Sequence, residues 1–453
     1  ERRLDHSSLA RIATLVRVAA FGSPAWAKIP VVLPEGRAPH PLTEAAARAL
    51  ARRLYGLEVE ALALPGEFDD NFRLTSPDGR RHVLKAMHPA RERGLVELQR
   101  AALGRVEARA PHLPVPRVVA TREGETVTVV PGPDGAPRLV WMLGWLPGTP
   151  LAEARPRTPE LLAGLGRVLG ELDAALAGFD HPEAHRDFKW DLSRASWVRG
   201  ALGHVREPER RALVERVLAR YETEVVPALP RLRRGVVHGD ANDHNVLVGT
   251  PHAHPREVTG LLDFGDMHHG LLVAEPAVAA AYAVLGERDP LAAARAVVAG
   301  YHEALPLEED EIALLFALVG ARLATSVTTS AMRTGAGRSD AYATVSEAPA
   351  WEALERLDRV YPRLAHYALR EACGLPPVPH GPAVVSYLER ARAKAVLDAD
   401  LRTEPCLVLD LSVGSLLLGA DPSAAETGPL TERLFGAMAR AGARVGVGRY
   451  DEA

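Results

Sequence analysis

The spacing of apolar and polar positions divides the chain into two unlike regions. PLTEAAARALARRLYGL (41–57) offers Thr43 as an N-cap, Leu50 and Leu54 at helical spacing and Gly56 as a stop, which predicts a helix. Three short strand-like runs follow: VEALAL (59–64), NFRLTS (71–76) and RHVLKAM (81–87). The turn PDGR (77–80) predicts that the last two form a hairpin. RERGLVELQRAAL (91–103) reads as a helix, and RVVATR (117–122), ETVTVV (125–130) and RLVWMLGWL (138–146) as further strands. From residue 158 the pattern turns helical, as in 159–179 and 207–225, and helical segments resume over 275–304, 308–333 and 350–373. Between them, residues 235–264 break the pattern with short strands around a polar cassette. GLPPVPHGP (374–382) is the clearest linker in the chain; a helix (384–399) and an apolar strand (406–414) follow it.

The expected fold class is α+β: a β-rich N-terminal lobe with one embedded helix, a larger helical lobe and a C-terminal extension. The boundaries fall at 1–39 for a poorly ordered N-terminal extension, 40–146 and 147–373 for the lobes, 374–383 for the linker and 384–453 for the start of a further, truncated domain. Residues 8–33 are apolar but broken by Arg11, Arg17 and Lys28, and no run of 18 uncharged apolar residues exists, so a membrane span is not expected.

Composition changes the picture at three points. A net charge of −4 argues against a general nucleic-acid binder, and RLRRG (231–235) is too short to make a basic face. The two cysteines, Cys373 and Cys406, show no CxxC and no metal spacing, which suits a reducing cytoplasm. The chain also holds only three asparagines (Asn71, Asn242, Asn245) and four lysines (Lys28, Lys85, Lys189, Lys394), with Arg used nearly everywhere else. In such a background an Asn or Lys invites a chemical reason.

Two of those asparagines fall in VVHGDANDHNVLV (236–248). Asp240 and Asn245 are followed by Asp263 in LLDFGD. Phosphoryl transfer needs a carboxylate at the acceptor hydroxyl and hard oxygen ligands for Mg²⁺ against the nucleotide phosphates. A carboxylate at 240, an amide oxygen at 245 and a carboxylate at 263 match that demand, and HGD-x4-N with a later DFGD matches the order of catalytic loop and metal loop in kinases. A polar loop built only for Asx-turns is the plainer reading; the D-x-D-x-D-G pattern of an EF-hand is absent.

The cassette resembles the HGDxHxxN signature of the aminoglycoside phosphotransferase and choline kinase superfamily, and the resemblance covers roughly residues 40–372. It implies a protein-kinase-like bilobal fold, ATP and Mg²⁺ as cofactors, Asp240 as base or acceptor-orienting group, Asn245 and Asp263 as magnesium ligands, and an indirect role for Asp266. His238 is expected to brace the loop. Where the superfamily usually has His, this chain has Asn242, and His244 precedes the magnesium Asn, which leaves the bracing roles of both open.

In the small lobe a kinase needs a strand cation for the phosphates and an acid from the neighbouring helix to hold it. HVLKAM supplies Lys85; Glu92 and Glu97 are the candidate partners, Glu97 the favoured one. There is no GxGxxG. LPGEFDDNFRL (64–74) instead places Gly66 and Asn71 in a turn whose amides could cap phosphates. The strand ending in Met142, Leu143, Gly144 and Trp145 is the candidate hinge facing adenine, with an aromatic core strand as the competing reading.

On the acceptor side, Trp190 and Asp191 suit an ammonium group, and His268 and Glu275 follow the metal loop; packing is an equal reading for Trp190. GEFDDNF, HGDANDHNVLV and FKWDL look most like the hydroxylysine kinase branch, which phosphorylates a hydroxyl on an amino acid or amino alcohol. Related bacterial fusions join such a kinase to an M23-peptidase-like domain and a class III aminotransferase-like phospho-lyase, and the tail 408–453 resembles the start of that middle segment. The expected activity is an ATP-dependent small-molecule kinase for a hydroxylysine-, ethanolamine- or homoserine-like acceptor. Aminoglycosides are the alternative acceptors, and a catalytically silent kinase-like scaffold in a multidomain pyridoxal-phosphate enzyme is the alternative class.

Overall fold

The computed structural model describes residues 40–66, 68–250, 256–335, 347–379, 408–410 and 446–448. Helix α1 (Glu44–Leu50) starts at Thr43, whose hydroxyl accepts from Ala46 N–H, and runs through a wider turn to Gly56, which stops it at φ +68. Strands β1 (Glu60–Leu64), β2 (Asp70–Thr75) and β3 (Arg81–Ala86) form an antiparallel meander. Helix α2 (Arg93–Arg109) crosses over to β4 (Val118–Val119), β5 (Thr128–Pro131) and β6 (Pro137–Gly144). The sheet order is β1-β2-β3-β6-β4, with β5 also on β6.

Lys85 thus lies on a central strand, opposite Asn71 on β2 and Trp141 on β6. Alternation along β2 buries Phe72 and Leu74 against Leu84, Met142 and the helix residues Leu50 and Tyr55, which forms the lobe's own small core.

The larger lobe begins with β7 (Thr149–Pro150) and α3 (Pro159–Leu176), continues through α4 (Pro208–Arg220), and then presents two short antiparallel sheets. Strands β8 (Arg234–Val237), β9 (Val246–Val248), β10 (Val258–Leu261) and β11 (His268–Leu271) pair as β10-β9-β7 and β11-β8. Their tips carry the cassette. Helices α5 (Ala274–Ala283), α6 (Pro290–Ala304), α7 (Glu309–Gly335), α8 (Glu347–Asp358) and α9 (Pro362–Ala372) enclose them.

The 275–304 segment is two helices, not one, because Gly286 at φ +77 and the Asp289–Pro290 N-cap divide it. The segment 350–373 is divided in the same way at Tyr361–Pro362. Helices α3 and α6 cross at near backbone contact: a Cβ added at Gly166 would overlap Val297 O, and one at Gly300 would overlap Ala163 O.

By length and composition α7 could cross a membrane over Glu309–Thr334, yet 89% of that window is buried inside the fold. It is the central helix of the lobe. Of the tail, Val408–Asp410 (β12) and Gly446–Gly448 (β13) pair in parallel. The N-terminal extension (1–39) and most of the 384–453 segment lie outside the described residues.

Candidate active site

Strand β8 delivers the catalytic loop out of the core, with Val236 and Val237 buried behind it. His238 Nδ1 accepts from Asp240 N–H at 3.2 Å, and its Nε2–H donates to Leu262 O at 2.9 Å. Those bonds require the neutral ring, and burial lowers its pKa to about 4. His238 therefore braces the loop and is not placed to shuttle protons. Gly239 takes φ +76, and a Cβ there would lie 2.8 Å from His268 Cε1 and 3.2 Å from Asp266 O. Only glycine fits between the catalytic and metal loops.

Glu275, expected among the acceptor contacts, lies behind this loop. It is fully buried; its Oε2 accepts from His238 N–H at 2.5 Å and its Oε1 from Gly239 N–H at 3.1 Å. Two backbone donors at the sharp turn needed an acceptor, and Glu275 supplies it. Its role is loop positioning.

Asp240 is held by three side-chain donors. Arg322 Nη2 meets Oδ1 at 2.5 Å, while Asn242 Nδ2 and Asn245 Nδ2 meet Oδ2 at 2.8 and 2.9 Å. Burial pushes its pKa up, Arg322 pulls it back, and the carboxylates of Asp266 and Asp263 add to the rise. Asn242 resolves one open position: its Oδ1 also accepts from His244 and Asn245 N–H at 2.9 and 3.1 Å, so a single amide closes the turn and pins the carboxylate.

Asn245 spends its amide nitrogen on Asp240, which leaves Oδ1 as the end free for a hard cation. Leu262 N–H bonds Asn245 O at 2.7 Å and so keeps Asn245 beside Asp263. Asp263 sits at φ 56, the one non-glycine with positive φ among the described residues, a strained conformation of the kind found where a side chain must be aimed. Lys85 Nζ stands 3.9 Å from Asp263 Oδ1 and holds this carboxyl below its usual range. Asp266 is pushed up to about 6, by burial first and by Asp263 next.

Among the described residues no three His, Cys, Asp or Glu side chains gather into a metal cage. One amide oxygen and one or two carboxylates suit Mg²⁺, which keeps waters and takes phosphate oxygens for the rest of its octahedron.

Lys85 does not pair with Glu97. That residue faces out from α2 and bonds Arg93 Nε at 2.7 Å, one turn back on the same helix, while Val96 and Leu98 fill the inward side. The cation of β3 reaches the metal loop directly.

The predicted hinge is paired main chain over most of its length. Met142 and Leu143 lie inside the sheet, with β3 on one edge and β4 on the other. Gly144 N–H bonds Arg117 O and Trp145 N–H bonds Arg81 O, so these two donors are spent. Gly66 and Asn71 do form a tight turn: a Cβ on Gly66 would lie 2.6 Å from Asn71 Nδ2 and from Asp69 O, and Asn71 Oδ1 is buried without a hydrogen-bond partner.

On the acceptor side, the Trp190 ring faces Lys189 Nζ at 5.2 Å and the Arg322 guanidinium at 4.5 Å, with Trp197 Nε1–H fixing the segment through Lys189 O. Asp191 caps the short helix Leu192–Trp197 through Ser193 N–H and Oγ–H, both at 2.8 Å. It lies 3.8 Å from His268 Nε2, which has no partner, while His268 Nδ1–H bonds Asp266 O. Trp190 and His268 are brought to the site; Asp191 is occupied with structure.

Three arginines were not singled out from sequence. Arg322 signals itself only as the lone charge between Glu311 and Arg333 in an apolar helix. Arg157 is buried and joins Asp243 at 3.2 Å to the terminal carbonyls of α5 at Tyr282 and Ala283, a favourable cation at a helix C-terminus. Arg186 Nη2 clamps the metal loop through Gly265 O and Met267 O at 2.8 and 3.0 Å.

With that geometry in hand, comparison with known proteins is consistent across sequence and fold. A family model for the phosphotransferase enzyme family matches residues 60–314. Hydroxylysine kinase of Mus musculus is 32% identical over 310 residues, 64% of this chain and 82% of that protein. Hydroxylysine kinase of Xenopus laevis is 34% identical over 307 residues, 63% and 81% of the two chains. In fold, an amicoumacin kinase solved with AMP-PNP, Ca²⁺ and its ligand aligns with TM-score 0.52 at 16% identity, covering 70% of this chain and 94% of that one. An aminoglycoside phosphotransferase from Alicyclobacillus acidocaldarius gives 0.50 at 18% identity, covering 74% and 98%. The bilobal α+β fold is that of the small-molecule kinases. The chain belongs to the phosphotransferase enzyme family and is a phosphotransferase acting on an alcohol group of a small molecule.

Proposed function

We propose that the chain transfers the γ-phosphoryl group of ATP, with Mg²⁺, to the hydroxyl of a hydroxy amino acid or amino alcohol of the hydroxylysine type. The observation that carries this reading is the state of Asp240. A carboxylate offers about four lone-pair positions. Arg322, Asn242 and Asn245 fill three of them, which leaves one for an incoming hydroxyl. Held by three donors, Asp240 is a firm guide for that hydroxyl. That suits phosphoryl transfer, whose loose transition state asks mainly for positioning.

Bound Mg²⁺ would neutralise charge on the phosphates, held by Asn245 Oδ1 and Asp263 with Asp266 behind. Lys85, drawn toward Asp263, is within the same cluster to pair with phosphate oxygens. Gly239 and Glu275 keep the two loops in contact, so that acceptor and phosphate sites share one rigid floor.

The hydroxylysine kinase relatives at 32% and 34% identity support the acceptor class. Nucleotide and divalent cation in the amicoumacin kinase structure support the cofactors by fold alone. The test is ADP release on a panel of 5-hydroxylysine, ethanolamine, homoserine and an aminoglycoside, with Asp240→Ala as control. Turnover stimulated by the first group and abolished in the variant is expected. ATP binding with no acceptor-stimulated turnover would point to a silent scaffold instead.

A further inference from the structure

The approach to α2 is a run of three charges, Arg91, Glu92 and Arg93, and the fold treats them differently. Glu92 and Arg93 face solvent, with Arg93 reaching along the helix to Glu97. Arg91 turns inward, and its side chain keeps only 14% of its surface exposed. Its Nη2 donates to Asp69 Oδ2 at 3.2 Å. Nε is buried without a partner, which leaves Nη1 as the nitrogen without an acceptor among the described residues that is not sealed in.

Asp69 belongs to the turn that carries Gly66 and Asn71, and its carbonyl accepts from Asn71 Nδ2 at 3.5 Å. The carboxylate does not need Arg91 for its own position, because Oδ1 accepts from His88 N–H at 2.7 Å. Asn71 in turn lies directly across from Lys85 in the sheet. On its other side Arg91 meets the metal loop. Helix α2 packs on the short helix Phe264–Asp266. Lys85 first, and Arg91 more weakly, hold the Asp263 carboxyl below its usual range. Burial and Asp263 raise Asp266, and Arg186, Arg322 and Arg91 pull it back.

The other cations of this ring are already engaged. Arg186 Nη2 is on Gly265 O and Met267 O, Arg322 Nη2 is on Asp240, and Lys85 is shared with Asp263. A nucleoside triphosphate with one Mg²⁺ still carries excess negative charge, and the two carboxylates of the metal loop add to it. We infer that Arg91 is a second phosphate-binding residue: held by Asp69 through Nη2, it presents Nη1 to the terminal phosphate oxygens of the nucleotide, beside Lys85. The inference rests on the kinase reading above and goes beyond it by adding a cation from the segment that joins β3 to α2. A guanidinium suits the task, since it stays charged and can hold a carboxylate and a phosphate oxygen with different N–H groups.

The test is calorimetric titration of the full chain with Mg·ATP and with AMP, without acceptor. It is run on the wild type, Arg91→Met, Arg91→Lys and Asp69→Asn, each checked by a melting curve. AMP lacks the phosphates assigned to Arg91. Arg91→Met should weaken Mg·ATP by about 10- to 100-fold, the range for one charge-assisted hydrogen bond, and AMP by less than about threefold. Arg91→Lys keeps the charge and should fall between the wild type and Arg91→Met. Asp69→Asn keeps an oxygen for His88 N–H and should weaken Mg·ATP far less than Arg91→Met does. Equal weakening of ATP and AMP in Arg91→Met, or Mg·ATP binding as tight as in the wild type, overturns the inference. So does an Asp69→Asn loss as large as that of Arg91→Met, the result of an ion pair that only holds the turn. In these cases the wild type still binds ATP and the kinase reading survives. A wild type that binds neither nucleotide overturns both.

Discussion

Asn242 is where the structure makes its sharpest claim about one side chain. Asn242→Ala removes one of three donors to Asp240 and the acceptor for two backbone amides, His244 and Asn245. A hydrogen bond to a charged group contributes about 1.5–3 kcal/mol. If all of it is felt as the acceptor hydroxyl is positioned, kcat falls by roughly one to two decades, at about 1.4 kcal/mol per decade. Arg322 and Asn245 still hold the carboxylate, so the loss should stop short of that in Asp240→Ala. The KM for ATP should move less than kcat, because Asn242 reaches the nucleotide side only through the backbone N–H of Asn245, which its own carbonyl also holds.

The assay is steady-state ADP release with acceptor and ATP varied separately, beside a melting curve that separates rate from folding. Asn242→Asp tests the sign. It keeps an acceptor oxygen for the turn, removes the donor and sets a second negative charge 2.8 Å from Asp240 Oδ2, so it should be slower than the alanine variant. Wild-type kcat in the folded alanine variant would refute the claim that this amide orients Asp240. An aspartate variant faster than the alanine variant would refute the electrostatic part of it.

Asp263→Asn loses a carboxylate ligand and should raise the Mg²⁺ concentration for half-maximal activity by about tenfold or more, read by metal titration after EDTA treatment. Gly239→Ala puts a Cβ 2.8 Å from His268 Cε1 at a left-handed φ; activity should fall by about three decades while near-native melting persists, since the clash lies between two loops and outside the core. Gly300→Ala, by contrast, forces α3 and α6 apart and should cost about 1–3 kcal/mol or more of stability in denaturant titration, with the folded fraction still active. Burial raises the Glu275 pKa to about 7, against the pull of the His238 and Gly239 amides that donate to it. A carboxyl raised on folding stabilises fully below its unfolded pKa, near 4.5, and loses that contribution as pH climbs through 7. The wild type should therefore lose up to about 3 kcal/mol between those limits, a slope that Glu275→Gln flattens in melts across pH.

What could be read in advance and what could not follow from one physical distinction. Asp240, Asn245, Asp263 and Lys85 were legible because each sits at a fixed offset from a local pattern: a β-branched strand, a polar turn, a hydrophobic run before DFGD. Short chain connections carry Asp240, Asn245 and Asp263 to one place, and the middle strand of the sheet carries Lys85 to them. Glu97 failed because the helix face that a residue presents depends on how the helix is rolled against the sheet. Here Val96, Leu98 and Leu103 took the inward face, leaving Glu97 to Arg93. Glu275 failed for the same kind of reason. A carboxylate at a helix start reads alike whether it meets ligand or buried amides, and a strand's free edge is visible only once its neighbours, here β4, are placed. Arg322 lies 82 residues from Asp240 in sequence, and no spacing rule spans that. Its one trace was the cost of a lone charge in an apolar helix. A buried charge needs an opposite charge nearby, so that trace already implied a carboxylate in the core of the lobe. Asp240 is that carboxylate, 2.5 Å from Arg322 Nη2.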